Sequence, residues 1–302
     1  MKNRMEIEKK RVAGVSVFAA LFLTAFKLVV GLLTGSLGLL SEALHSGLDL
    51  VAAIITWFSV RISDKPPDRN HHYGHGKIEN FSALVETFLL LITCAWIIYE
   101  AIHRLVSGNT KIEVTVFSYI VVLTSIAIDI ARSRALYRVA RKYNSQALEA
   151  DALHFSTDIW SSAVVLLGLI LAQFGLFFAD SVAALAVALI VLGVSWRLGK
   201  RATDVLLDRS PAPLVAKVES VMERAPGILR YHDLKVRTSG AENFIEVTIH
   251  VQPGISLEKA HIISHQVEKH VVEAIPRSNV HVHIEPDRHK SEVMEAEPGQ
   301  FS

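Results

Sequence analysis

The chain has a single cysteine, Cys94, in 302 residues. That excludes an intramolecular disulfide and any cysteine-rich metal centre. Charge is scarce as well. Asp, Glu, Lys and Arg make up 20% of the residues and sum to a formal net charge of +1, so nothing points to nucleic acid as a partner. No secretory leader is evident: residues 1–11 carry both signs, and the apolar segment after them is long enough to span a bilayer rather than be cleaved. The pattern His-Glu-x-x-His is missing, which counts against an intramembrane zinc hydrolase, since that chemistry needs an open metal position and a general base.

What the chain has in quantity is apolar sequence, at 51% of residues and a mean hydropathy of +0.35. It comes in blocks longer than a bilayer requires. Six membrane spans are predicted, at Val12–Thr34, Ser36–Ile62, Asn80–Leu105, Val114–Ala140, Ala147–Leu176 and Phe178–Asp204. All exceed about 20 residues, the second, fourth and fifth among them, which predicts tilt or helical extension beyond the bilayer. Gly-marked connections at Thr34-Gly35-Ser36 and Gln173-Phe174-Gly175 predict tight hairpins. Lys and Arg gather in residues 2–11, 61–77, 132–142 and 197–201, while the turns after the first and fifth spans have none. By the positive-inside rule both termini face the cytoplasm, as in a multi-pass protein of the cell membrane.

From about Asp208 the composition becomes that of a small soluble domain. Helical apolar spacing covers Pro211 to Arg224, and Leu234–Val236 and Phe244–Val251 alternate as strands joined at Ser239-Gly240. A second helix runs from Ser256, a capping residue, to Ile275, and Val280–Ile284 alternates again. The order αββαβ predicts an α+β domain of ferredoxin or metallochaperone type, with two helices on one sheet face. The expected layout is a cytoplasmic arm (1–11), a six-helix membrane domain (12–207), a cytoplasmic domain (208–288) and a disordered tail (289–302).

Three constellations of ligand-type residues stand out. His45 and Asp49 share one face of the second span, one turn apart, and His154 and Asp158 repeat the spacing in the fifth. An ionisable group at that depth is costly, roughly 2.5–3.5 kcal/mol for Asp on insertion scales, and usually marks an ion path. Two His and two Asp are a set tetrahedral Zn²⁺ accepts, with Fe²⁺, Co²⁺ and Cd²⁺ also compatible. Alternatively each pair is a packing contact with no ion. The second constellation is Asp68, His71 and His75, close enough for one short loop to gather, with His72 as a spare; a solvated loop whose histidines simply titrate fits the spacing equally well. The third comprises His232, His250, His261, His265, His270, His281, His283 and Glu285 in the soluble domain. There His283 and Glu285 share a strand face, and His261 and His265 share a helix face.

Other polar residues take plainer readings. Lys27 snorkels or pairs within the bundle, Asp129 pairs with Arg132 or Arg134 or sits at a cavity mouth, and Cys94 packs in the core. Gly31 and Gly35 form a small-xxx-small pair that allows close helix approach.

Three stretches together resemble the cation diffusion facilitator family of divalent-metal/proton antiporters: Gly35–Asp49 (GSLGLLSEALHSGLD), Asp68–Lys77 (DRNHHYGHGK) and Ala150–Asp158 (ADALHFSTD). The resemblance covers nearly the whole chain. It implies a homodimer in the lipid bilayer that exports Zn²⁺ from the cytoplasm against protons, with His45, Asp49, His154 and Asp158 as the transport site. His45 resembles the zinc-selective members, whereas an Asp there is similar to carriers more permissive for Cd²⁺ or Fe²⁺. The resemblance also implies a loop metal site at Asp68, His71 and His75, and a dimerising metal-binding domain in which His232, His261 and His283 carry over. That domain departs from the family pattern twice: Thr248 stands where some members have His, with His250 on the same strand face, and Glu285 replaces an Asp. Lys77 and Asp208 match positions that resemble an inter-subunit charge pair, an ordinary solvated charge being the alternative. A metal-responsive sensor or assembly protein on the same fold is the other function class compatible with the pattern.

Overall fold

The computed structural model describes residues 2–34, 37–107, 116–173 and 178–287. The expected turns at Gly35-Ser36 and Phe174-Gly175, and the tail 289–302, lie outside the described residues. The chain divides into two compact units, Met1–Leu206 and Leu207–Ser302.

The first unit consists, among the described residues, of six long helices: α1 (Lys2–Thr34), α2 (Leu37–Ser63), α3 (Lys77–Ser107), α4 (Val116–Tyr143), α5 (Gln146–Gln173) and α6 (Phe178–Leu206). α1 begins ten residues before its expected apolar start. Its charged first turns support helix through i,i+4 pairs, Arg4 with Glu8 at 3.4 Å and Lys10 with Glu6 at 3.4 Å. The segments Arg4–Leu33, Glu42–Ser63 and Lys77–His103 are long and apolar enough to cross a membrane. Large side chains such as Phe18, Phe22, Leu33, Trp96 and Trp196 point outward, a surface suited to lipid and not to water.

Small residues line the helix contacts. Ala13 and Ala20 of α1, Ala53 of α2, Ala140 of α4 and Ala152 of α5 are buried together around Leu136, Leu148 and Phe155. A second cluster joins Ala83 of α3 to Ala150 of α5 and to Leu198 and Ala202 of α6. Lipid is as apolar as these side chains, so association depends on close backbone approach, which small residues permit. Gly31 illustrates it: a Cβ there would lie 3.1 Å from the backbone nitrogen of Leu40 on α2. Cys94 is buried as a free thiol.

The second unit contains α7 (Ala212–Met222), β1 (Arg230–Ser239), β2 (Glu242–Val251), α8 (Leu257–Ala274) and β3 (Ser278–Pro286). The sheet order is β1-β2-β3, with β1 antiparallel and β3 parallel to β2. α8 supplies the crossover that a parallel neighbour requires. It is capped by Ser256, whose hydroxyl accepts from the Lys259 N–H at 3.3 Å. β1 is longer than its alternation suggests, because an irregularity between His232 and Lys235, with Asp233 at φ 51°, absorbs one break in the period. Ile245, Val247, Ile249 and Val251 face Val218 and Met222 of α7 and Val267 and Val271 of α8. By the strand period of two, Glu246, Thr248 and His250 occupy the opposite face.

Truncating Ile249, which is fully buried in this core, removes contacts that both helices use. Ile249→Ala is expected to cost the second unit about 2–4 kcal/mol, measured as a lowered urea midpoint for a fragment spanning residues 207–302.

Candidate metal centre

α2 and α5 pack against each other and bring the two helical pairs face to face. His154 donates from Nε2 to Asp49 Oδ1 at 2.9 Å and lies 3.8 Å from Asp158 Oδ2. His45 Nε2 is 3.8 Å from Asp158 Oδ1 and 4.0 Å from Asp49 Oδ1. One ligand atom each from His45, Asp49 and Asp158 falls within a mutual 4.8 Å, and His154 closes the ring through its two carboxylate neighbours. Two imidazoles and two carboxylates therefore meet between two helices, three of them within reach of one point. Tethers keep the helices in register. The Thr24 hydroxyl of α1 donates to the Ser46 carbonyl of α2 at 2.8 Å, and the Ser133 hydroxyl of α4 to the Ala152 carbonyl of α5 at 2.9 Å.

A cavity opens on this point, lined by His45, Asp49 and Asp158 together with Lys27, Glu42 and Asp129. Its further lining, from Val121 and Ser125 on α4 to Ser161 and Ser162 on α5, lies toward the end where α1 meets α2. The charges around it are matched. Lys27 donates to Glu42 at 3.1 Å and to Ser46 at 2.9 Å, and Arg132 donates to Asp129 at 3.3 Å while stacking on Phe155.

At the other end of the helices Lys9 is buried between Asp64 (2.7 Å) and Glu79 (2.6 Å), and Glu79 also accepts from the hydroxyls of Ser63 and Ser145. This node joins α1, the α2–α3 loop and the α4–α5 turn. The sequence singled out none of its members, because Lys9 reads as one of several charges in a polar arm. Glu86 and Asp151, fully buried in α3 and α5, were not singled out either. Their one sequence signal is that each is an acid inside a predicted span.

The loop triad is assembled too. Asp68 Oδ1 accepts from the N–H groups of Asn70 (2.9 Å) and His71 (2.7 Å) and from the His71 ring at 3.1 Å. Its Oδ2 lies 3.3 Å from His75 Nε2. Gly74, at φ 76°, supplies the left-handed turn that folds His75 back onto Asp68 and leaves the two imidazole centroids 4.4 Å apart. His72 turns to the Arg69 carbonyl at 3.1 Å and stays outside the group.

In the second unit His232, His250 and Glu285 come within a mutual 4.8 Å. The register explains why. His250 pairs with Glu285 and His232 with Thr248, which puts all three on the open sheet face. His250 Nε2 lies 3.0 Å from His232 Nδ1 and 3.8 Å from Glu285 Oε2. His283 sits beside them, 3.6 Å from Glu285 Oε1. His261 is not brought to this set: it stacks on His265 along α8, which covers the other face. Lys77 donates to the Leu206 carbonyl at 3.4 Å in the first unit, and Asp208 faces Arg237 at 3.6 Å in the second.

Residues 13–207 match the family model of the cation efflux transmembrane domain, and residues 211–287 that of the cytoplasmic domain of cation efflux proteins. An uncharacterized transporter of Methanocaldococcus jannaschii is 32% identical, over 92% of this chain and 99% of its own. The cation-efflux pump FieF of Shigella boydii is 30% identical, over 91% of this chain and 92% of its own. The manganese efflux system protein MneS of Bacillus subtilis is 28% identical, over 94% of this chain and 98% of its own.

The loop carries a pH prediction. The Asn70 amide above all, then the His71 amide and ring, hold the Asp68 carboxyl below the usual carboxylate range. Its contribution to the turn is therefore present above the ordinary value of about 3.9 and is lost as pH falls through the lowered one. A ¹³C NMR titration of the Asp68 side-chain carbonyl is expected to give a midpoint below about 3.9; a midpoint at or above it would mean that these amides do not set the turn.

Proposed function

The chain belongs to the cation efflux, or cation diffusion facilitator, family, and from that premise we propose that it is a homodimeric secondary transporter exporting Zn²⁺ from the cytoplasm across the cell membrane in exchange for protons. The family consists of transporters and not enzymes, and the chain is a membrane protein that moves cations outward. The observation that carries the finer reading is the convergence of His45, Asp49, His154 and Asp158 inside the bundle. The His154–Asp49 hydrogen bond at 2.9 Å holds a proton where a dication would bridge the same two groups. Metal entry must displace that proton, so binding is proton-linked by ligand chemistry alone.

The donor set supports the choice of ion. Two imidazoles and two carboxylates suit Zn²⁺, while the Mn²⁺ in the name of one relative prefers oxygen ligands. Cd²⁺, Fe²⁺ and Co²⁺ remain ions the same ligands accommodate. With both termini on the cytoplasmic side, as the Lys and Arg distribution requires, the cavity beside His45 opens away from the cytoplasm. The transport cycle then runs from a cytoplasm-facing state that loads Zn²⁺ to this outward one, where protons arriving at His45 and His154 release it. The loop triad Asp68, His71, His75 and the set His232, His250, Glu285, joined by His283, serve as auxiliary Zn²⁺ sites that report cytoplasmic metal. Lys77 and Asp208 serve as an inter-subunit charge pair.

His45→Ala and Asp158→Ala are each expected to abolish metal-driven proton movement in proteoliposomes, and undiminished transport in either would sink the site assignment. His45→Asp removes one of two imidazoles and is expected to raise Cd²⁺ transport relative to Zn²⁺ in a competition series of metals. An unchanged Cd²⁺-to-Zn²⁺ ratio would show that the first ligand is not the selector.

A further inference from the structure

Most buried charges of the first unit have a partner. Asp49 and Asp158 face His45 and His154, Asp129 faces Arg132, Lys27 faces the more exposed Glu42, and Asp64 and Glu79 share Lys9. Glu86 on α3 and Asp151 on α5 do not. Both side chains are fully buried, and among the described residues neither forms an ion pair. Glu86 Oε1 accepts from the Thr56 hydroxyl of α2, and Asp151 Oδ2 from the Ser16 hydroxyl of α1 at 3.2 Å. Arg132 of α4 reaches Asp151 only through that hydroxyl, at 3.1 Å from Ser16 Oγ. The second oxygen of each carboxyl, Glu86 Oε2 and Asp151 Oδ1, is buried with no hydrogen-bond partner. So is His154 Nδ1, the ring nitrogen not engaged with Asp49.

Two bare carboxylates cannot persist in such a place while the transport site lacks metal. One hydrogen bond from a hydroxyl does not replace the hydration an ionised carboxylate loses on burial. Like charges in mutual range raise the cost further, and Asp151 lies within electrostatic range of Glu86; His154, in range of both, carries the opposite charge when protonated. Asp151 also feels Asp49 of α2 and Arg132. Protonation removes the conflict: the group becomes neutral while its other oxygen keeps the hydroxyl bond.

We propose that Glu86 and Asp151 form a proton-binding site distinct from the metal ligands, occupied while the transport site lacks metal and emptied when a dication binds there. The sign follows from electrostatics. A dication between Asp49 and His154 favours the ionised carboxylates, so the carboxyl O–H bond breaks, its electron pair stays on oxygen and the proton leaves to water. Asp151 precedes His154 by one helical turn, on the side away from the cavity, toward the Lys9 node. The protons held here are thus separate from those that must leave the histidines, and both are counted in the exchange. This assignment rests on the proton-exchange reading above.

The test is simultaneous Zn²⁺ and proton flux in proteoliposomes for the wild type, Glu86→Gln and Asp151→Asn. Both substitutions retain an oxygen acceptor for Thr56 or Ser16. The ratio of protons to Zn²⁺ is expected to fall in each variant; an unchanged ratio in both overturns the assignment and leaves proton exchange standing. Wild-type Zn²⁺ flux without proton movement would overturn the exchange reading itself. Infrared difference spectra on Zn²⁺ addition give a second measurement, independent of variant folding. Wild type is expected to lose a protonated-carboxyl carbonyl band that Glu86→Gln or Asp151→Asn lacks, and absence of any such band in wild type at neutral pH overturns the proposal.

Discussion

Charge placed in a medium that cannot solvate it is the constraint on which the rest of the first unit depends. Lipid-facing helices offer no water to an ionised side chain, so each must find a counter-charge, a hydrogen-bond donor or a proton. The structure solves this differently at three levels along the bundle. Near the α1–α2 end Lys27 meets Glu42, and deeper in Arg132 meets Asp129. In the middle two carboxylates meet two imidazoles, groups that exchange a proton for a metal without leaving a bare charge. At the far end Lys9 is shared by Asp64 and Glu79.

Close helix packing makes this arrangement possible. The alanine-lined contacts among α1, α2, α4 and α5 bring backbones near enough for side chains as short as Asp and Ser to reach across helices. Lys9 closes the loop that holds Asp68, His71 and His75, since Asp64 lies just before that triad and Glu79 just after it. In the second unit the same ligand chemistry rests on a different support. A three-stranded sheet with one helix-covered face leaves the alternate residues free, and those residues are His232, His250, His283 and Glu285.

The sequence by itself determined the class of the molecule, its two-part organisation and which ionisable residues fall inside its apolar blocks. Long apolar blocks and alternating strands are local patterns, and His and Asp at an i,i+4 spacing inside a span can be read without knowing what lies opposite. For Asp129 the sequence left open Arg132, Arg134 or a cavity mouth, and the structure gives it both Arg132, one turn away on the same helix, and a place on the cavity lining. Only the tertiary structure decided which distant groups meet. Lys9 and Glu79 are seventy residues apart, so nothing local distinguishes that lysine from its exposed neighbours. Within the second unit, strand register joined His250 to His232 and Glu285, while the helix on the covered face kept His261 away from them. Whether Glu86 and Asp151 have counter-charges could not be read from the chain either. Charge compensation is a property of the folded neighbourhood, because solvation is lost and partners are gained only when the helices pack.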